Sequence, residues 1–193
     1  MVLRVDARAN HARIVAAATD AFAEKGLAAD MKEIAERAGV AFGTLYRHFP
    51  GKAEMLTAIL REAIAVSLAG EEAAEQRADP IDGLRALLVH EYTITGRYGW
   101  LQEAIASGQL PPSCLEELRA ERQKHDFAGR FERLLRRGMQ DGRLRPDLDP
   151  GVAAALLSGT VLPWVFKRFA AERSAEAAAD AVLAVFLGGA ARG

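Results

Sequence analysis

Apolar residues recur along most of this chain at intervals of three and four positions, the spacing of one face of an α-helix. In the first such stretch Asn10 can cap the start of a helix, and Gly26 can end it. The apolar stripe between them consists of Ile14, Val15, Ala18, Ala21 and Phe22. No run alternates between apolar and polar residues for long enough to predict a strand. The pattern therefore predicts an all-α protein of about nine helices.

Start and stop signals divide the rest of the chain. One helix opens at Lys52, and another opens at Asp79, which is followed by a proline suited to the first helical turn. The glycines in residues 96–99 are expected to break that second helix. Ser113 opens a long charged helix that ends near residue 141. The next helix contains Pro163, which is expected to kink it. An alanine-rich helix ends the chain.

Residues 30–52, DMKEIAERAGVAFGTLYRHFPGK, carry the most specific pattern. Asp30 followed three positions later by Glu33 is a capping box, which predicts the start of a short helix. Gly39 is expected to end this helix, because glycine tolerates the left-handed conformation that a tight turn between two helices requires. The pattern is typical of a helix-turn-helix.

The second helix of this motif is predicted over residues 42–48. Leu45 and Phe49 lie four positions apart, so they share a face and can pack on the preceding helix. A hydroxyl, a phenol, a guanidinium and an imidazole then point outward, on Thr44, Tyr46, Arg47 and His48. Such groups stabilise a fold poorly but offer donors and flat surfaces to DNA phosphates and base edges.

The local charge agrees with a nucleic-acid partner. No acidic residue lies between Glu36 and Glu54, whereas Arg37, Arg47 and Lys52 give this stretch a formal charge of +3. The alternative is a solvated basic face with an incidental tyrosine. That alternative accounts for neither the capped first helix nor the glycine turn.

The segment IAERAGVAFGTLYRHFPGKAEML resembles the DNA-binding signature of the TetR family of bacterial transcriptional regulators. The resemblance is close over residues 8–60, while the remaining chain matches in length, helix order and the turn DGRLRPDLDP. It implies a homodimer whose helix-turn-helix domain, residues 1–53, binds a palindromic double-stranded DNA operator. Residues 54–193 would then form a helical domain that dimerises and binds a small-molecule effector. The implied function is a repressor released from its operator by that effector.

The resemblance also implies which residues contact DNA. One of them, Lys32, lies on the first helix of the motif. The others lie on or beside the second helix: Ala41, Phe42, Gly43, Thr44, Tyr46, Arg47, His48 and Lys52. Two positions depart from the family pattern. Ala41 stands where Ser or Thr is usual, so the helix lacks a side-chain cap, and Phe42 stands where a polar or basic residue is common. These departures leave open an alternative, a helical ligand- or partner-binding module whose helix-turn-helix no longer reads an operator.

Two further sites are expected in the C-terminal part. Small and apolar residues of the last two helices are expected to form a two-fold dimer interface, made of Leu156, Leu157, Gly159, Thr160, Ala177, Ala178, Ala181, Ala184 and Val185. Aromatic and apolar residues are expected to line an effector pocket, made of Tyr92, Trp100, Ile105, Phe127, Phe131, Val161 and Trp164. The alternative for both sets is ordinary packing inside one subunit.

Composition and motifs argue against other classes. Half of the 193 residues are hydrophobic and the formal net charge is −1, as in a soluble globular protein. Ile94 stands where a zinc-binding HExxH motif opened by His90 would need its second histidine, and phosphate-binding and nucleophile-elbow motifs are missing. We therefore expect neither an enzyme nor a cofactor or metal. The single Cys114 fits a reducing cytoplasm, and the longest uncharged run, which ends at Phe166, falls short of the ~20 residues that span a membrane.

Overall fold

The structure, a computed structural model, describes residues 2–126, 129–170 and 172–190. The described residues contain ten α-helices, one 3₁₀ turn at Gly26–Ala28 and no strand. The all-α expectation is therefore confirmed. The helices are α1 Val2–Lys25, α2 Met31–Arg37, α3 Phe42–His48, α4 Lys52–Glu75, α5 Pro80–Ala106, α6 Pro112–Lys124, α7 Arg130–Gln140, α8 Pro150–Val161, α9 Pro163–Ala170 and α10 Ala175–Ala190.

Two helices are longer than predicted. Helix α1 begins at Val2 rather than at Asn10, because the preceding residues contain no glycine or proline that would interrupt it. Helix α5 continues through Gly96 and Gly99. A glycine costs about 1 kcal/mol in a helix interior. Burial of the residues beside these glycines, Thr95 and Tyr98 among them, outweighs that cost.

Two other boundaries divide helices that were predicted to be continuous. The charged helix opened by Ser113 is two helices, α6 and α7, and the Asp126 carboxylate between them accepts a hydrogen bond from the Gly129 amide at 2.9 Å. Pro163 does not kink a helix but begins α9, with Leu162 in an extended conformation before it. Proline suits this first position because its missing N–H has no intrahelical partner there.

No single helix within the described ranges is long and apolar enough to cross a membrane. Helices α8 and α9 together meet the length and composition for a span, but a bend of 71° separates them.

The chain divides into two compact units. The first contains the residues up to Ile64 together with Arg97–Glu121, and the second contains Ala65–Gly96 together with the residues from Arg122 onwards. The division falls inside α4 and α5 and so does not coincide with the boundary at residue 53 that the resemblance implies. That boundary concerns function rather than compactness, and it stays a prediction.

Each unit has its own apolar core. In the first unit α1 contributes a fully buried stripe, as its sequence pattern predicted, and α2, α3 and the start of α4 pack with it. The buried residues there include Ile14, Ala18, Phe22, Ile34, Leu45, Phe49, Met55 and Ile59. The core of the second unit includes Leu84, Leu87, Leu88, Tyr92, Phe131, Leu134, Leu135 and Leu157.

Candidate nucleic-acid interface

The turn between α2 and α3 has the geometry of a helix-turn-helix. Asp30 caps α2 by accepting a hydrogen bond from the Lys32 amide at 3.3 Å. Gly39 ends the helix with φ of +63°, a left-handed conformation that glycine adopts without strain. The Val40 amide then donates to the Ala35 carbonyl at 3.1 Å, which closes the end of α2.

One side chain from α1 holds this turn in place. The guanidinium of Arg13 donates from Nη2 to the carbonyl oxygens of Ala38 and Gly39, at 2.5 and 3.2 Å. These carbonyls lie at the C-terminal end of α2, where oxygens lack intrahelical partners and a cation is favoured. The sequence pattern did not reveal this role for Arg13, because the contact spans 25 positions and leaves no local periodic signal.

Two buried apolar side chains hold helix α3 in place, and the helix lacks a side-chain N-cap. Leu45 is fully buried and Phe49 nearly so, which agrees with their predicted shared face. Ala41 precedes the helix in an extended conformation and provides no side-chain hydrogen bond to it. The position of α3 therefore depends on packing.

The remaining α3 side chains are open to solvent to different degrees. Phe42 and Tyr46 are 46% and 43% exposed, and their rings meet edge to face with centroids 4.8 Å apart. Arg47 is exposed and hydrogen-bonds to the Gly43 carbonyl and the Thr44 hydroxyl, two neutral acceptors on its own helix. Lys32, Ala41 and Gly43 are also exposed, and Thr44 and His48 are half-buried.

Lys52 has a different environment from the one expected for a phosphate contact. Its ammonium donates to the Leu27 carbonyl and lies 5.5 Å from the centroid of the Phe22 ring. These contacts tie the first residue of α4 to the end of α1. An ammonium carries three donors, so contact with a phosphate requires one of the remaining two. The DNA contact of Lys52 stays a prediction.

Ion pairs reduce the positive charge that the sequence gives this region. Arg37 binds Glu24 at 2.6 Å and Glu33 at 2.7 Å, and Glu33 also binds Lys25. These bonds raise the pKa of Arg37 and lower the pKa of both carboxyl groups. Glu33 therefore pairs with basic side chains instead of closing the predicted capping box. The positive charge expected to act on DNA is then carried by the other two basic residues of this stretch, on α3 and at the start of α4.

Comparison with known proteins agrees with this geometry. The family model described as bacterial regulatory proteins, tetR family, matches residues 14–59, which hold the second half of α1, both helices of the motif and the start of α4. The helix-turn-helix part of the chain matches the TetR family. The transcriptional repressor KstR2 of Mycolicibacterium smegmatis is 29% identical to it over 178 residues, which cover 87% of this chain and 84% of KstR2.

Two solved structures extend the likeness to almost the whole chain. The regulator PfmR from Thermus thermophilus superposes with a TM-score of 0.70 and 28% identity, covering 94% of this chain and 97% of PfmR. AibR, solved in complex with isovaleryl coenzyme A and operator DNA, gives a TM-score of 0.67 and 25% identity, covering 91% of this chain and 97% of AibR. KstR2 is named as a transcriptional repressor and PfmR as a transcriptional regulator.

The residues expected to line an effector pocket are divided between the two units. Trp100 and Ile105 belong to the first unit, where the Trp100 ring stacks on Phe22. Tyr92, Phe131 and Val161 are buried in the core of the second unit, as in ordinary packing. Trp164 is 55% exposed, because Pro163 starts a new helix instead of opening space beside the ring. Phe127 lies outside the described residues.

The second unit instead has a polar cleft that the sequence did not reveal. Its volume is about 290 Å³, and the residues around it are Leu68, Glu71, Glu72, Glu75, His125, Asp126 and Arg133. Beside it, Arg130 at the start of α7 pairs with Glu71 at 2.5 Å and with Glu91 at 3.2 Å, with all three side chains largely buried. Burial raises the pKa of Glu91 to about 7, and the nearby Arg130 only partly opposes this.

The residues expected at a dimer interface fall into three groups. Leu157 and Ala178 are buried inside the subunit's own core, so they cannot meet a partner as predicted. Gly159 and Thr160 are half-buried, and the Thr160 hydroxyl lies 2.7 Å from the Tyr92 hydroxyl. The rest are exposed and apolar: Leu156, Ala177, Ala181, Ala184 and Val185. Val152 joins them with 58% of its side chain exposed.

Proposed function

We propose that this protein is a dimeric, sequence-specific DNA-binding repressor that leaves its operator when a small-molecule effector binds. The observation that carries the proposal is the arrangement of α3. A seven-residue helix is held by Leu45 and Phe49 and presents Phe42, Tyr46 and Arg47 to solvent. A DNA major groove admits such a helix and offers groups that these side chains can contact. Such a regulator acts where bacterial DNA lies, in the cytoplasm.

Dimerisation follows from the small size of this reading helix. One helix covers too few base pairs for useful specificity, whereas two copies held ~34–36 Å apart can read a palindrome in successive major grooves. The exposed apolar side chains of Leu156 and Val185 support a second copy as the partner, since large apolar groups at a subunit surface commonly mark an interface.

Effector control is supported by the relatives rather than by a pocket of this chain. AibR was solved with isovaleryl coenzyme A and operator DNA together. An effector can shift the repressor off DNA only by its difference in affinity for the DNA-bound and free conformations. We place effector binding in the helical part after residue 53, without assigning its chemical class.

The test is a binding titration against DNA flanking the coding region and against duplexes selected from a random library. We expect one inverted repeat to be preferred and the affinity to fall as salt rises. Arg47→Ala should weaken binding and reduce the salt dependence by about one phosphate per subunit. Arg136→Ala is a matched control, because Arg136 is an exposed arginine on α7 paired with Glu132.

The competing function is a helical binding module whose helix-turn-helix has lost operator reading. The uncapped Ala41 and the inward contacts of Lys52 favour it. It predicts that wild type enriches no sequence from the library. It also predicts that Arg47→Ala and Arg136→Ala change weak DNA binding equally.

A further inference from the structure

Phe42 is the first residue of α3 and has no role in the core of its unit. Its side chain is 46% exposed, whereas Leu45 on the same helix is fully buried. The surface beside it is open, because a Cβ atom added at Gly43 would meet nothing within 4 Å apart from its chain neighbours and the backbone of α3. Burying a phenylalanine stabilises a protein by ~1.5–3 kcal/mol relative to leaving it exposed, so folding alone does not explain an aromatic ring here.

Tyr46 holds the Phe42 ring in a defined orientation. The two residues lie one helical turn apart, and the edge of one ring meets the face of the other at an interplanar angle of 69°. Aromatic pairs prefer this edge-to-face geometry to a face-to-face sandwich. Arg47 follows directly on the helix, so the apolar ring lies close to a cation able to bind a phosphate.

A phenyl ring can neither donate nor accept a conventional hydrogen bond. Of the groups on base edges in the major groove, only the C5-methyl group of thymine is apolar. The N-terminal residues of a recognition helix are those that reach base edges. We propose that Phe42, supported by Tyr46, contacts the methyl group of one thymine in each half-site and makes this protein selective for thymine there. This inference rests on the proposed function and names part of what the DNA-binding site reads.

The experiment replaces thymine by deoxyuridine, which removes the methyl group and keeps base pairing. The DNA is the inverted repeat selected by wild type, with each thymine replaced in turn at the equivalent positions of both half-sites. One buried methyl group corresponds to about a fourfold change in affinity, or about fifteenfold when both half-sites are changed. For wild type, we expect the affinity to fall by this factor when deoxyuridine replaces thymine at one position.

The variants show whether Phe42 is the residue responsible. Phe42→Ala should bind duplexes with thymine or deoxyuridine at that position equally tightly. At the other positions the replacement should change its affinity as it does for wild type. Tyr46→Phe keeps the ring pair and should retain the wild-type difference. Val66→Ala is a matched control, because Val66 is an exposed apolar residue of α4 in the other unit. It should behave as wild type.

Failure of this inference is distinguishable from failure of the proposed function. If wild type selects no sequence, both are overturned. If wild type selects a repeat but no thymine position loses affinity with deoxyuridine, or Phe42→Ala keeps the full loss, only the assignment of Phe42 is overturned. Because the ring is half exposed, Phe42→Ala should melt within a few degrees of wild type, so lost binding would not reflect unfolding.

Discussion

The indole ring of Trp100 on α5 stacks on the phenyl ring of Phe22 on α1, with ring centroids 5.0 Å apart and an interplanar angle of 29°. Phe22 is fully buried and also has the Lys52 ammonium 5.5 Å from its ring centroid. The stack therefore joins α1 to a residue 78 positions later in the same compact unit. The Trp100 indole N–H is buried without a hydrogen-bond partner among the described residues.

Substitutions at Trp100 should separate the contribution of the ring from that of its N–H group. Trp100→Ala removes the stack and leaves a cavity, so we expect it to lower the free energy of unfolding by ~3 kcal/mol. Trp100→Phe keeps a ring and removes a buried donor that has no partner. The free energy of unfolding of this variant should therefore fall by only ~1 kcal/mol. Urea unfolding followed by circular dichroism measures both. Equal stability of the two variants would show that the stack contributes little.

Two glycines of the helix-turn-helix should respond oppositely to alanine. At Gly39 the left-handed backbone disfavours a side chain by ~1–2 kcal/mol, and the new Cβ would lie 2.8 Å from Arg13 Nη2. Gly39→Ala should therefore destabilise the protein and weaken DNA binding. Gly43 lies inside α3 with open space around it, so Gly43→Ala should stabilise the fold by up to ~1 kcal/mol.

The effect of Gly43→Ala on DNA binding is a separate measurement. The added methyl group lies on the surface that we propose enters the groove, so operator affinity should fall while thermal stability is unchanged or higher. A variant that is both more stable and unimpaired in binding would place Gly43 away from the DNA.

Local signals in the sequence predicted the helix-turn-helix well. Asp30 and Gly39 act within a few residues of themselves, and their cap and turn occur as predicted. Glu33 was predicted to complete a capping box but pairs with Lys25 and Arg37. That choice depends on how α1 lies against α2, and helix periodicity carries no information about it.

Sequence periodicity did not predict which apolar residues of α8 and α10 face outward. Leu156 and Leu157 are neighbours with the same chemistry, yet one is 66% exposed and the other 2% exposed. Residues 150–157 of α8 are an apolar run with no polar face to fix its rotation, so the orientation depends on the rest of the core. The ion pairs of Arg130 are equally non-local, with partners 59 and 39 positions away.

The raised pKa of Glu91 should make stability depend on pH. Below about pH 4.5 the carboxyl group is protonated in both the folded and the unfolded chain, so it makes no difference. Between about 4.5 and 7 the unfolded chain releases this proton and the folded chain retains it. The free energy of unfolding should therefore fall across that window, by up to ~3 kcal/mol, and become level above it.

Glu91→Gln tests this dependence because glutamine resembles the protonated side chain and does not titrate. Its free energy of unfolding should equal that of wild type near pH 4.5 and exceed it near pH 8. Glu72→Gln, which changes an exposed carboxylate of α4, should follow the wild-type profile. If Glu91→Gln had the wild-type slope between about pH 5 and 7, another group would be responsible.

The proposed dimer should depend on the exposed apolar residues of α8 and α10 and not on their buried neighbours. Leu156 and Val185 are 66% and 81% exposed, and each is present twice in a two-fold dimer. Burial of such side chains contributes ~1.5–3 kcal/mol each, whereas an aspartate buried without a partner is strongly unfavourable. Leu156→Asp with Val185→Asp should therefore convert a dimer at micromolar concentration into a folded monomer, which sedimentation velocity and circular dichroism would detect.

The same variant tests whether operator reading needs two subunits. A monomer carries one α3 and loses the doubling of contacts, so its affinity for the selected inverted repeat should fall at least a hundredfold while binding to a single half-site changes little. Val66→Asp is the matched control, because it places a charge on another exposed valine, on α4, and should remain dimeric. A double variant that stays dimeric would place the interface elsewhere. A monomer that still binds the full repeat as tightly as wild type would show that one reading helix is sufficient.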